Sequence, residues 1–234
     1  MKRTLSIIAL LFFTVLSTTL KAENEERHVA AFSEISLRID AEVYLDQDKD
    51  QSIELVAETS TLGKIITEVK NGKLIIRFKN KDRFIKPINH GKIKIFVTVP
   101  DITSINVSGS GDIYAENPIE SRIIKLFVSG MGGIKLEELK SDQVECTISG
   151  SGDIELLSGT CREQMGVAIS GSGNLRASGY QAKSIAIKTV GSGDSFVNAT
   201  DRLKVRIIGA GNVVYSGKPQ LDSSVTGSGN VKRK

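Results

Sequence analysis

The chain has 234 residues, 40% hydrophobic and 25% charged, the proportions of an ordinary soluble protein with one or two cored domains. Its formal net charge of +4 falls to +1 without residues 1–22, because Lys2, Arg3 and Lys21 leave with them and no acid does. With Lys and Glu interspersed along the remainder, this excludes a basic nucleic-acid surface.

Lys2 and Arg3 precede an apolar run from Leu5 through Leu16, and Thr18 to Ala22 forms a cleavage region. Residues 1–22 therefore read as a secretory signal peptide, too short for a comfortable membrane span; an uncleaved N-terminal anchor is the other reading. The remaining chain carries no membrane span, which places the protein in the periplasm, on the outer cell surface or in the medium.

Residues 23–100 read as a strand-rich region that caps the rest of the chain. Phe32, Ile35, Leu37, Ile39, Ala41, Val43 and Leu45 alternate with polar residues, the period of a half-buried strand. Ile53 to Val56, Leu62 to Ile66, Leu74 to Phe78 and Ile93 to Val99 are further strands. Asp48 to Ser52, Asn71-Gly72 and Lys79 to Gly91 are turns or loops. His90 sits in the last of these, where a solvated or capping role is expected.

From residue 101 onward the chain repeats; 19 of its 22 glycines lie beyond Pro100. The repeated units are Ser108-Gly109-Ser110-Gly111-Asp112, Ser129-Gly130-Met131-Gly132-Gly133, Ser149-Gly150-Ser151-Gly152-Asp153, Ser170-Gly171-Ser172-Gly173-Asn174, Val190-Gly191-Ser192-Gly193-Asp194, Ile208-Gly209-Ala210-Gly211-Asn212 and Thr226-Gly227-Ser228-Gly229-Asn230. The first Gly recurs every 18 to 21 residues. Apolar residues alternate before each unit, as in Val144, Cys146 and Ile148, and a second short strand starts after it, at Ile113, Ile134, Ile154, Leu175, Val213 and Val231. Ser195 interrupts that second series.

Each unit thus reads as strand, glycine turn, strand and loose turn. About 20 residues cannot bury an apolar side alone, so the units stack into an all-β, single-stranded solenoid over residues 101–234. Gly supplies the positive φ that a sharp turn needs, and Asp or Asn tolerates the position after it. No two successive units both carry Asp there, which spares stacked carboxylates a repulsion of about 1 kcal/mol. These turn residues are read as structural.

Calcium-binding β-rolls offer a comparison, but their period is nine residues, with Asp two after Gly. Here Asp follows Gly directly and alternates with Asn and Gly, too few oxygens for a calcium site. Polysaccharide-cleaving β-helices need paired carboxylates; Glu137, Glu138, Glu155 and Arg176 are the candidates, and they also read as an ordinary outward face. No Ser-His-Asp arrangement, phosphate loop or zinc spacing is present. No catalytic, metal or cofactor residue is therefore expected. Cys146 and Cys161 can form a disulfide in an oxidising compartment or remain buried thiols. Lys232, Arg233 and Lys234 blunt the last strand edge.

The repeated Ser-Gly-Ser-Gly-Asp-Ile at 108–113 and 149–154, with Val97-Thr98-Val99-Pro100 ahead of it, resembles the autotransporter-adhesin head GIN domains, exported proteins abundant in Bacteroidetes. The resemblance covers roughly residues 28–231, with departures at Gly133, Ser195 and Ala210. It implies a β-helix-like fold and an envelope location, with no catalytic residues to transfer. The expected function is a non-catalytic envelope module for binding or adhesion, offering a flat solenoid face to a glycan or protein. A carbohydrate-active enzyme, or a structural protein associating with itself through coil edges, are the alternatives.

Overall fold

The computed structural model describes residues 22–79 and 91–234; most of the export segment, and His90, lie outside them. The chain is a β-solenoid of about six turns. Its first part holds β1 (Ala22–Glu26), β2 (Glu34–Leu37), β3 (Glu42–Gln47), β4 (Ser52–Glu58), the one-turn helix α1 (Thr59–Leu62), β5 (Ile65–Lys70), β6 (Lys73–Phe78) and β7 (Lys94–Val99). The repeats supply β8 (Ser104–Gly109), β9 (Asp112–Ala115), β10 (Ile119–Gly130), β11 (Gly133–Gly150), β12 (Ile154–Gly171), β13 (Leu175–Gly191), β14 (Ser195–Gly209), β15 (Asn212–Ser216), β16 (Gln220–Gly227) and β17 (Asn230–Arg233).

Each repeat lies on the next in parallel register, like residue over like. Gly109, Gly130, Gly150, Gly171, Gly191, Gly209 and Gly227 form one column. Val107, Val128, Ile148, Ile169, Thr189, Ile207 and Val225 form the inward column beside it. That column runs on through Leu37 and Ile76 of the first part, so one core serves the whole chain.

The turn is tight because its backbone is shared between coils. The carbonyl of Gly150 accepts from the N–H groups of Ser172 and Gly173 at 2.8 and 3.0 Å, and the same pair of bonds recurs at Gly109, Gly130, Gly171 and Gly191. The first glycines hold φ between 124° and 134°, a region closed to residues with a Cβ. The second glycines need their lack of side chain for another reason. A Cβ on Gly173 would lie 2.1 Å from the Gly152 carbonyl oxygen and 2.6 Å from Ile148 Cγ2.

Where a loose turn is expected after the second strand, the structure has continuous strand. In β11 the inward residues are Ile134, Leu136, Leu139, Ser141, Val144, Cys146 and Ile148. The period of two slips at 137–138 and again at 142–143. Each slip bends the strand while keeping the same face inward, so this coil has three sides. The first bend carries Ser158-Gly159, Ser178-Gly179 and Ser216-Gly217 in later coils. A Cβ on Gly159 would lie 1.9 Å from the Leu139 carbonyl oxygen. The bare Gly159 lies between Leu139 and Tyr180 in register. Tyr180, fully buried, passes its hydroxyl to Ser141 Oγ at 2.9 Å, two coils away.

The first part departs from the expected order. The run Phe32–Leu45 is not one strand but the coil β2–β3, bent at Arg38 to Ala41. That coil is inserted between β6–β7 on one side and β8–β9 on the other. Of Leu62 to Ile66 only Ile65 and Ile66 are strand: Leu62 ends α1 with its side chain buried, and β5 starts at Ile65. Asn71 and Gly72 have φ of 53° and 73°, the two left-handed residues of a type I′ hairpin joining β5 and β6. The strands β1, β4 and β5 pair antiparallel and close this end of the stack.

Ser195 stands in the ladder rather than breaking it. It pairs in register with Leu175 and Val213, fully buried, its hydroxyl without a partner among the described residues. Backbone pairing sets the register, and the side chain follows it into the core.

Two glycines separate close packing from backbone entropy. Gly171→Ala combines a φ of +125° with a Cβ 2.3 Å from the Gly150 oxygen, and should cost on the order of 4 kcal/mol. Gly63→Ala meets nothing within 4 Å and should be neutral within about 0.5 kcal/mol. Urea denaturation of the two variants checks the contrast.

Candidate functional site

The fifth position of the turns forms an outward column: Asp112, Gly133, Asp153, Asn174, Asp194, Asn212 and Asn230. From Asp153 to Asn212 it is one hydrogen-bonded chain. Asn174 donates its backbone N–H and its Nδ2 to Asp153 Oδ1 at 2.8 and 2.9 Å. The Asp194 N–H donates to Asn174 Oδ1 at 3.0 Å. Asn212 repeats the first pattern on Asp194, at 2.8 and 2.9 Å. Asparagine can give to the carboxylate below it and accept from the amide above it, which aspartate cannot do without placing two charges together. Gly133 has no side chain to join Asp112 to Asp153, and the chain begins above it.

Arg176 Nη1 completes the arrangement, 2.5 Å from Asp153 Oδ2 and 3.2 Å from Glu155 Oε1. Burial opposes the charge of Asp153, but Arg176 and the two Asn174 donors outweigh it and hold its pKa below the ordinary carboxylate value. Among the described residues no three His, Cys, Asp or Glu side chains converge. The oxygens Asp153 Oδ1 and Asp194 Oδ1 are both engaged by amides of the following coil.

Each carboxylate weighed for sugar cleavage is paired with a cation. Glu137 pairs with Lys135 at 2.8 Å, Glu138 with Lys140 at 3.2 Å and Glu155 with Arg176. Cys146 and Cys161 are both free and buried. Burial, first among the causes, raises both thiol pKa values, which leaves no thiolate nucleophile. The Cys161 thiol donates to the Asp142 carbonyl at 3.2 Å.

Sequence reasoning missed an aromatic stack in the capped region. Phe96, Tyr44 and Tyr114 succeed one another in register. Ring centroids lie 5.2 Å apart for Tyr44–Phe96 and 5.8 Å for Tyr44–Tyr114, and Lys94 Nζ sits 5.5 Å over Tyr44. The rings turn their faces to each other, so the stack strengthens the wall. Burial, with the Asp112 carboxylate next, pushes the Tyr114 hydroxyl up to about 12.

A shallow groove of about 1200 Å³ lies on the solenoid side formed by the start of β10 and the middles of β11 and β12. Most of its charges are matched across coils: Lys140 with Glu120 at 3.2 Å, and Arg162 with Asp142 at 2.6 Å. Two charges are exceptions: the exposed Arg122 guanidinium and the exposed Asp101 carboxylate have no ion-pair partner among the described residues. Beside Arg122 lie Ile123, 41% exposed, and the half-buried Phe127. Hydroxyls of Ser33, Thr103, Ser121 and Thr160 line the same groove. Ser121, Arg122, Ile123 and Phe127 lie on one strand, β10, while Ser33, Thr103 and Thr160 come from other coils and join them only when the coils stack.

A family model described as "putative auto-transporter adhesin, head GIN domain" matches residues 31–219. The solved structure of a putative adhesin from Bacteroides fragilis is 24% identical with a TM-score of 0.86, covering 92% of this chain and 98% of that one. A putative adhesin from Parabacteroides distasonis is 24% identical at a TM-score of 0.71, covering 92% of this chain and 97% of that one. A putative lipid binding protein from the same organism is 23% identical at 0.69, covering 91% and 96%. At these identities the likeness is one of fold. No curated protein matches the chain.

Two substitutions test the polar column. Asn174→Asp stacks three carboxylates and removes the Nδ2 donor, and should cost about 2 kcal/mol at neutral pH by urea denaturation. Asp153 has a lowered folded-state pKa. Its contribution is therefore present above the unfolded-state value and lost as pH falls through the folded one. Asp153→Asn should thus be less stable than the parent at pH 7, by about 1 kcal/mol for so exposed a pair, and the gap should close on acidification.

Proposed function

The chain belongs to the putative auto-transporter adhesin head GIN domain family, and from this membership and its surface we propose that it is an exported, non-catalytic binding module acting outside the cytoplasm. Its family and the Bacteroides fragilis neighbour are named as putative adhesins, one further neighbour as a putative lipid binding protein, and none of these as an enzyme. Among the described residues no helix is long and apolar enough to cross a membrane.

The observation that carries the reading is the groove on the β10–β12 side. It is open and shallow, suited to an extended ligand rather than an enclosed small molecule. Arg122 offers the unpaired cation, Ile123 and Phe127 offer apolar contact, and the hydroxyls offer adaptable hydrogen bonds. That combination fits a polar polymer with negative charge, an acidic glycan first and an acidic protein segment second. Carboxylates matched to cations from neighbouring coils favour binding over hydrolysis, which needs two free carboxyl groups across one bond.

The test is binding of residues 23–234 to an array of neutral and acidic glycans. Saturable binding to acidic members is expected, unchanged by a calcium chelator. Arg122→Ala together with Phe127→Ala should weaken it at least about tenfold without shifting the thermal transition. Equal binding by the double variant, or none across the array, overturns the assignment of this groove.

A further inference from the structure

The two ends of the stack are finished differently. At the first end, β4 pairs antiparallel with β7, β1 with β4, and β5 with β6. At the last end, β16 pairs with β14 and β17 with β15, each along one edge. Among the described residues no strand takes the other edge of either.

The core runs out into this open end. All eight residues of β16 are exposed. Leu221 and Val225, 43% and 40% exposed, stand in register over Leu203 and Ile207, which are 1% and 0% exposed. Apolar side chains along an unpaired strand edge form a template for another strand. The two edges are guarded unequally. Lys232 and Arg233 protect β17, whereas β16 contains one charge, Asp222, and no Pro or Lys.

We infer that a second copy of this chain occupies the edge of β16, strand against strand and antiparallel, with Ser223 of both copies on the two-fold axis. The sequence of β16 is complementary to itself in that register. Leu221 falls opposite the partner's Val225, Val225 opposite the partner's Leu221, and Asp222 opposite the partner's Ser224, with inward residues facing inward residues throughout. Centring the pair on residue 222 sets Asp222 against itself, a like-charge contact. Centring it on 224 leaves Leu221 opposite a glycine. A half-step sets inward residues opposite outward ones.

The same axis sends the two copies of β17, with their lysines and arginines, to opposite ends of the new pair. The pairing uses the same edge of both copies and so closes on itself, and association stops at two rather than growing into a filament. The dimer does not depend on the groove's ligand. It would carry two grooves on one rigid body, which strengthens attachment to a repetitive surface through effective concentration.

Sedimentation equilibrium of residues 23–234, which contain every described element apart from the first residue of β1, tests this. A mass twice that of the chain is expected across the micromolar range. Val225→Lys, at a site already exposed, should return the mass of one chain without lowering the thermal transition. Under mild oxidation Ser223→Cys should link to its own copy, because facing antiparallel residues lie within disulfide reach, and Ser224→Cys should not. A single-chain mass at all concentrations, a dimer indifferent to Val225→Lys, or equal crosslinking from Ser224→Cys would each overturn the inference.

Discussion

The spacing of parallel strands, about 4.8 Å, governs this molecule. At the turn the backbone of one coil lies directly on that of the next, and the Gly150 carbonyl receives two amides from the coil above. No side chain fits between main chains at that distance. Both glycine columns, and Gly159 at the second corner, follow from this. A solenoid with wider turns could tolerate other residues; this one folds its corner into the ladder and must keep the corner bare.

Stacking like over like magnifies whatever chemistry a position carries. An apolar residue repeated from coil to coil becomes a continuous core. A carboxylate repeated in the same way would become a line of negative charge. The alternation of Asp153, Asn174, Asp194 and Asn212 turns that liability into a hydrogen-bonded chain, with the Asn174 amide bridging the carboxylate below and the backbone above. Thr189 and Ser195 show the opposite case. They flank one turn, their hydroxyls lack partners among the described residues, and the register tolerates them because neighbouring coils hold the backbone in place.

The repeated part of the fold was legible because its period, its turn residues and its inward alternation all point to one architecture. The first bend of each coil was harder to read: Ser158-Gly159, Ser178-Gly179 and Ser216-Gly217 recur only in some coils, and a bent strand keeps its hydrogen bonds where a loop would lose them. Leu62 to Ile66 misled because a short apolar run does not distinguish a strand from one helical turn capped by a buried leucine. The insertion of β2–β3 between later strands leaves no local trace, since pairing order is a property of the folded chain. The outward glutamates suggested chemistry, and the structure pairs each of them with a cation. Arg122, Ile123 and Phe127, which share a groove, look ordinary in sequence.

A scaffold of this kind separates stability from recognition. The core columns and the turn glycines are held by stacking and admit little change. Outward positions on the walls contact only water and their neighbours above and below, so their cost of substitution is small. Recognition can then be written on one side of the stack without disturbing the register beneath it. The groove shows what such writing requires: Lys140 and Arg162 are matched by Glu120 and Asp142 across coils, and the Arg122 guanidinium is left unpaired beside two apolar side chains. An unpaired surface charge gains nothing for folding. Its physical effect is on whatever approaches the groove.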